Sequence, residues 1–136
     1  MDLDLIARKD RRIARAMLAV LQDLSVHPSR DHIARTANLE STHFSKRFKD
    51  VVGVTFAFWN RSVRVDAAGR LLATTDRQIR DISAAVGYSN TTTFERAFRK
   101  MTGMCPSDYR AMNLPTNPQN AERNPPNAES ELSSVP

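Results

Sequence analysis

The chain carries one segment twice. Ile33-Ala-Arg-Thr-Ala-Asn-Leu39 aligns with Ile82-Ser-Ala-Ala-Val-Gly-Tyr88 at an offset of 49. Ser41-Thr-His-Phe-Ser-Lys-Arg-Phe-Lys49 aligns with Thr91-Thr-Thr-Phe-Glu-Arg-Ala-Phe-Arg99 at an offset of 50. The extra residue falls in the second turn. Each copy places apolar residues at helical spacing on both sides of Asn38 or Gly87, residue types that accept a left-handed backbone. A short helix, a tight turn and a longer helix form the outline of a helix-turn-helix. At 136 residues, the chain has room for one domain of ordinary size holding both copies.

The remaining residues also read as helix. The chain has four glycines, and no segment sustains an apolar/polar alternation, so the fold class is all-α. Seven helices are predicted. Ile13, Met17, Leu21 and Leu24 mark a first helix near 10–24. Arg8, Lys9, Arg11, Arg12 and Arg15 crowd its start and oppose the helix dipole; either solvation or an anionic neighbour would offset that cost. Ser29 can cap a short helix near 30–37. A longer helix covers about 41–52 and stops at Gly53, a good C′ residue. Thr55 can cap a linker helix over about 55–75, with Phe56, Trp59, Val63, Ala67, Leu71 and Leu72 as its apolar stripe. Gly69 inside that helix costs about 1 kcal/mol against alanine. Further helices cover about 78–86 and 90–102, the second stopping at Gly103. Pro106 suits the first position of a last short helix carrying Tyr109. The domain therefore spans 1–112, with helix-turn-helix one at about 30–53 and helix-turn-helix two at about 78–103. Residues 113–136 hold five of the seven prolines and no apolar periodicity, and their composition predicts disorder.

Composition narrows the function. No apolar run approaches the ~18 residues that a spanning helix needs. The acidic N-terminus, Met-Asp-Leu-Asp-Leu, does not resemble a secretory signal. The single cysteine, Cys105, permits no internal disulfide and reads as a small filler. His27, His32 and His43 are scattered, so no metal site and no cofactor is expected. With no Gly-rich phosphate loop and no nucleophile–base spacing, the chain is not expected to be an enzyme. Residues 1–112 carry 19 basic and 12 acidic side chains, a balance that suits a polyanionic partner.

The two longer repeat helices point to which polyanion. Phe44, Phe48 and Val51 form one core stripe, and Phe94, Phe98 and Met101 form the other. Opposite the first stripe lie Thr42, Ser45, Lys46 and Lys49. Opposite the second lie Thr91, Thr92, Glu95, Arg96 and Arg99, with Asn90 at the helix start. Hydroxyl, amide and basic groups can reach phosphates and base edges in a major groove. Arg96 can pair bidentately with guanine, Lys46 only as a point charge, and Glu95 can accept from cytosine N4. Any surface helix has a polar face. Two copies of one arrangement, in a basic domain, argue for more than that.

Gly87-Tyr-Ser-Asn-Thr-Thr-Thr-Phe-Glu-Arg-Ala-Phe-Arg-Lys-Met-Thr-Gly-Met-Cys-Pro-Ser-Asp-Tyr-Arg110 resembles the signature of the AraC/XylS family of bacterial transcription regulators. The upstream unit, Thr42-His-Phe-Ser-Lys-Arg-Phe-Lys49 with Gly53, resembles the family's first helix-turn-helix. Asn60-Arg61, Ala67-Ala68 and Leu71-Leu72 resemble its linker helix. The likeness covers about residues 10–112. Asn38 departs from the usual turn glycine, and Lys46 from a frequent arginine.

The resemblance implies two helix-turn-helix subdomains joined by a long linker helix, each placing its second helix in the major groove of double-stranded DNA. The two grooves must then lie about one turn apart, ~34 Å or 10–10.5 bp. Base contacts are expected from Thr42, Ser45, Lys46, Asn90, Thr91, Thr92, Glu95 and Arg96. Phosphate contacts are expected from Lys49, Arg61, Arg99 and Lys100, with backbone amides at helix starts. The family implies a cytoplasmic, nucleoid-associated regulator, an activator that meets RNA polymerase, with no membrane partner. Two units in one chain let a monomer occupy a non-palindromic site. Only about nine residues precede the first expected helix, so the chain reads as a stand-alone member or a piece of a larger regulator. Two rival readings are a non-specific architectural DNA-binding protein and an interaction antagonist that has lost base readout.

Overall fold

In the computed structural model, residues 2–113 are described. Among the described residues the chain is entirely helical, with eight helices in place of the expected seven. They are α1 (Leu3–Lys9), α2 (Arg11–Gln22), α3 (Arg30–Thr36), α4 (Ser41–Val52), α5 (Phe56–Thr74), α6 (Ile79–Ala85), α7 (Thr91–Thr102) and α8 (Pro106–Asn113). The tail expected to be disordered lies outside the described residues, apart from Asn113, which closes α8.

The additional helix is α1. Asp2 caps it, accepting from the Asp4 amide, and Ile6 anchors it in the core. The expected crowd of cations at one helix start is thereby divided. Arg8 and Lys9 sit in the last turn of α1, where the dipole favours them. Arg11 and Arg12 open α2. Between the helices stands Asp10, C-cap of α1 and N-cap of α2. It accepts from the Arg12 amide at 2.9 Å and from Arg47 Nε of α4 at 2.7 Å. Burial pushes the Asp10 carboxyl up, but hydrogen bonds from Arg12 and Arg47 outweigh it and hold the group at about 2. Of the two answers the sequence left open, Asp10 supplies an anionic neighbour for Arg12, while Arg8, Lys9, Arg11 and Arg15 are exposed to solvent. The α2 stripe is Ile13, Ala16, Met17 and Val20. Leu21 is exposed and Leu24 lies beyond the helix end.

The capping residues follow the expected chemistry. Ser29 accepts from the His32 amide and Thr55 from the Phe58 amide. Asn38 turns with φ 56°, and Gly87 stands at its repeat position with φ 93°. The start of α4 is capped by Glu40, which accepts from the Thr42 amide.

The apolar residues divide into two cores. The first gathers Ile6, Ile13, Met17, Ile33, Phe44, Phe48, Phe56 and Trp59. The second gathers Val65, Ala68, Leu72, Ile82, Val86, Phe94 and Phe98, with Tyr109 packed against it. The four repeat phenylalanines are fully buried and contribute about 1.5–3 kcal/mol each. Their rings interlock: Phe44 meets Phe48 at 5.8 Å, and Phe94 meets Phe98 at 5.7 Å.

Helix α5 joins the cores, but not through the single stripe expected. Its first half buries Phe56 and Trp59 in core one, with Val63 at the edge. Its second half buries Val65, Ala68 and Leu72 in core two, while Ala67 and Leu71 are only partly buried. At 100° per residue these two sets lie on nearly opposite faces of one helix. The expected cost of Gly69 also has a reason here. A Cβ at that position would stand 3.1 Å from the Tyr109 hydroxyl of α8. Glycine allows α8 to lie close on α5, where Arg110 Nε donates to the Leu72 carbonyl at 3.1 Å.

Candidate nucleic-acid interface

The longer helix of each repeat unit hides its aromatic stripe and exposes the opposite side. On α4, Thr42, Lys46 and Lys49 are exposed. Ser45 is half-buried; its hydroxyl donates to the Ser41 carbonyl at 3.1 Å, and it lines a cleft shared with the starts of α3 and α5. On α7, Thr92, Glu95, Arg96, Arg99 and Lys100 are exposed and Thr91 is half-buried. Asn90 is exposed and caps α7, its Oδ1 accepting from the Thr93 amide at 3.1 Å. That leaves its amide nitrogen for an outside acceptor. Among the described residues, Lys46, Lys49, Glu95, Arg96, Arg99 and Lys100 make no salt bridge within the chain. Arg61 stands apart from both groups, half-buried on α5. The fold thus places every candidate but Arg61 on α4 or on α7 and its N-cap, one group per unit.

What relates the two groups is a junction that the sequence reading passed over. Arg64 of α5 is fully buried and has no carboxylate partner. Its Nε donates to Asn60 Oδ1 at 3.0 Å. Its Nη1 donates to the Leu24 carbonyl at 2.6 Å and the Val86 carbonyl at 2.9 Å. Its Nη2 donates to the Val26 carbonyl at 3.1 Å. Leu24 and Val26 belong to the loop after α2, in unit one. Val86 is the C-cap of α6, in unit two, where the helix dipole welcomes a cation. One guanidinium therefore ties both units to the linker helix. Burial pulls the Arg64 pKa down, and nearby Tyr88 opposes that effect.

The network extends to His27. Since Arg64 occupies Asn60 Oδ1, the Asn60 amide nitrogen faces His27 Nε2 at 3.2 Å. His27 Nδ1 lies 3.1 Å from the Gly87 carbonyl, an acceptor only. Nδ1 must donate and Nε2 must accept, so the bonding defines the neutral Nδ1–H tautomer. Desolvation and the Arg64 guanidinium push the His27 pKa down, against the opposing pull of the Gly87 carbonyl. Gly87 is required on two counts. Its φ of +93° suits glycine, and a Cβ there would overlap the Arg64 guanidinium and the Leu24 carbonyl oxygen. The sequence did hold a signal for Arg64. Asn60, Arg64, Ala68 and Leu72 recur every four residues, which places a cation on a line otherwise heading into core two.

No helix among the described residues is long and apolar enough to cross a membrane. No group of three potential metal ligands occurs among them.

Comparison with known proteins agrees with this architecture. A family described as a helix-turn-helix domain matches residues 33–112. The arabinose operon regulatory protein of Escherichia coli (strain K12) is 32% identical over 79 residues, which are 58% of this chain and 27% of that protein. The MmsAB operon regulatory protein of Pseudomonas aeruginosa is 32% identical over 80 residues, 59% of this chain and 26% of that protein. The chain spans from a tenth to a third of the length of such curated relatives. Among solved structures, the C-terminal domain of AraT, a response regulator from Geobacillus stearothermophilus, superposes with a TM-score of 0.74 at 25% identity. The match covers 79% of this chain and 89% of that one. The DNA-binding domain of AdpA, solved in complex with a target DNA, shares the fold with a TM-score of 0.71 at 24% identity, covering 85% and 97%. Two helix-turn-helix units on one linker helix, the family match and these relatives identify the chain as a member of the AraC-type family of helix-turn-helix transcription regulators.

Proposed function

We propose that the chain is a sequence-specific, double-stranded-DNA-binding regulator of transcription. It lays α4 and α7 in successive major grooves of one site. The observation that carries this reading is the paired construction of α4 and α7. Each buries two phenylalanines and leaves a polar face whose cations make no salt bridge among the described residues, and Arg64 holds the two units in one relation. Thr42, Ser45 and Lys46 read one block of bases. Asn90, Thr91, Thr92, Glu95 and Arg96 read the other. Lys49, Arg61, Arg99 and Lys100 neutralise phosphates. A monomer suffices, because both reading helices belong to one chain. The role is activation through contact with RNA polymerase in the bacterial cytoplasm, at the nucleoid, without catalysis; this part follows the family.

The test is selection of bound sequences from a random duplex pool at physiological salt with competitor DNA. The expected result is an asymmetric motif of two blocks about one helical turn apart. Arg96→Ala should then cost about 1–3 kcal/mol and erase preference at one position, whereas Lys49→Ala weakens all sequences alike. Binding without enrichment would instead favour an architectural protein, and no binding an interaction antagonist.

A further inference from the structure

We propose that the α1–α2 elbow is a second phosphate-binding surface. It grips the DNA backbone just outside the block read by α4. The inference rests on the reading of α4 as a groove-inserted helix, and extends it to residues outside both helix-turn-helix units.

Three observations lead there. The first is charge. Arg8, Lys9, Arg11 and Arg12 are exposed and crowd a single bend. The acid among them, Asp10, is buried and already engaged by Arg12 and Arg47. Arg8, Lys9 and Arg11 make no salt bridge among the described residues. The elbow therefore presents a net positive charge to solvent, with exposed Asp4 of α1 sharing a hollow with Arg11 and Arg15 as the acid beside it.

The second is position on α4. At 100° per residue, Phe44, Phe48 and Val51 define the buried side, and Thr42, Lys46 and Lys49 the opposite one. Ser45 lies on one edge between them, the edge that shares a cleft with the starts of α3 and α5. Arg47 lies on the other edge. Its 2.7 Å ion pair with Asp10, together with packing of α1 and α2 on α4, attaches the elbow there. A helix seated in a major groove has a sugar-phosphate backbone along each edge. The α3 side faces one strand and the elbow faces the other. Asp50 shares the elbow's edge one turn further on, which puts the phosphates at the level of His43 and Arg47.

The third is direction. Helix α2 ends near Leu24, whose carbonyl joins the Arg64 junction with unit two. The elbow is at its opposite end, 12 residues away, about 18 Å along the helix. The elbow thus points away from unit two, toward DNA that neither repeat reaches.

The experiment uses the full chain and two duplexes. Both carry the selected two-block site. One has ten or so flanking base pairs beyond the α4 block, identified as the block that Lys46→Ala disturbs. The other ends at that block. Affinity is measured against salt for wild type, for the triple variant Arg8→Gln/Lys9→Gln/Arg11→Gln, and for Arg70→Gln as a charge control. On the flanked duplex, the triple variant should lower the slope of log K against log salt by about two to three, at ~0.9 per lost phosphate contact. Affinity should fall about tenfold or more, equally for specific and random sequence. On the trimmed duplex the triple variant and wild type should bind alike, and Arg70→Gln should match wild type on both. Thermal melts that coincide with wild type confirm that the fold is intact. An unchanged slope on the flanked duplex overturns the proposal, as does an equal loss on both duplexes, which would mark general electrostatics. If wild type binds neither duplex, the groove-insertion reading fails first and takes this one with it.

Discussion

Gly53 and Gly87 have almost the same backbone, φ 95° and 93°, yet their surroundings are opposite. A Cβ on Gly53 would meet nothing within 4 Å, whereas one on Gly87 would overlap the Arg64 guanidinium and the Leu24 carbonyl. Alanine at either site bears the left-handed penalty of about 1–2 kcal/mol. Gly53→Ala should lose that and little more. Gly87→Ala must also displace Arg64 from the Leu24 and Val86 carbonyls. Stranding a buried charge costs about 3–5 kcal/mol, a large share of the ~5–15 kcal/mol that stabilises a domain. Gly87→Ala is therefore expected to lose about 4–7 kcal/mol by the combined range of these two effects. Urea unfolding followed by far-ultraviolet circular dichroism measures both variants. Combining Gly87→Ala with Arg64→Ala should cost less than the sum of the two single losses, because the clash with the guanidinium is then absent and only that with the Leu24 carbonyl oxygen remains. Equal losses for the two alanine variants would refute the reasoning, since backbone strain alone would then account for both.

Two further predictions concern acid. The folded His27 pKa is pushed below its usual 6.5, so the unfolded chain binds the proton more readily. This contribution to stability is present above pH ~6.5 and is lost as the pH falls through the folded value. Between pH 7 and 5, wild type should lose more stability than His27→Gln, measured as the urea midpoint; parallel profiles would contradict the assigned tautomer. Asp10 is held at about 2 against an ordinary 3.8. Its ionised contribution is present above 3.8 and disappears as the pH falls through 2, so the stability advantage of wild type over Asp10→Asn should close across that window in thermal melts.

The local elements were legible in the sequence because local rules decide them. Ser29 and Thr55 cap helices by accepting from amides three residues on, and Asn38 turns within its own residue. The phenylalanine pairs fall at i and i+4, so one helix face fixes their burial. What was not legible depends on contacts between distant segments. Arg64 meets Leu24 and Val26 across about 40 residues, and its place on the line of Ala68 and Leu72 marks it as inward-facing without naming those partners. The stripe assigned to α5 assumed one partner. The helix has two, on opposite faces, so a single-face reading mixed Ala67 and Leu71 with truly buried positions. α1 was missed because seven residues carry too little periodicity, and its one buried anchor is Ile6. The candidate base-reading residues were legible as an exposed face, but Ser45's turn toward α3 and α5 was not.

The opposed faces of α5 bear on how two weak readers, as proposed for α4 and α7, would become one specific protein. A short helix face that contacts a few base pairs binds weakly alone. Two such faces on a flexible tether would gain from effective concentration, yet would accept a range of separations between their blocks. Here the tether is a helix buried on both sides, and Arg64 pins both ends of the relation through carbonyls of unit one and unit two. Bending that junction would break charge-assisted hydrogen bonds worth about 1.5–3 kcal/mol each. A site whose blocks were one base pair closer or farther would rotate one block by about 34° around the duplex axis, from ~10.5 bp per turn. The chain would then have to break those bonds or forfeit one reader. On the proposed two-groove reading, discrimination by spacing would thus come from the interior of the protein, from the buried Arg64.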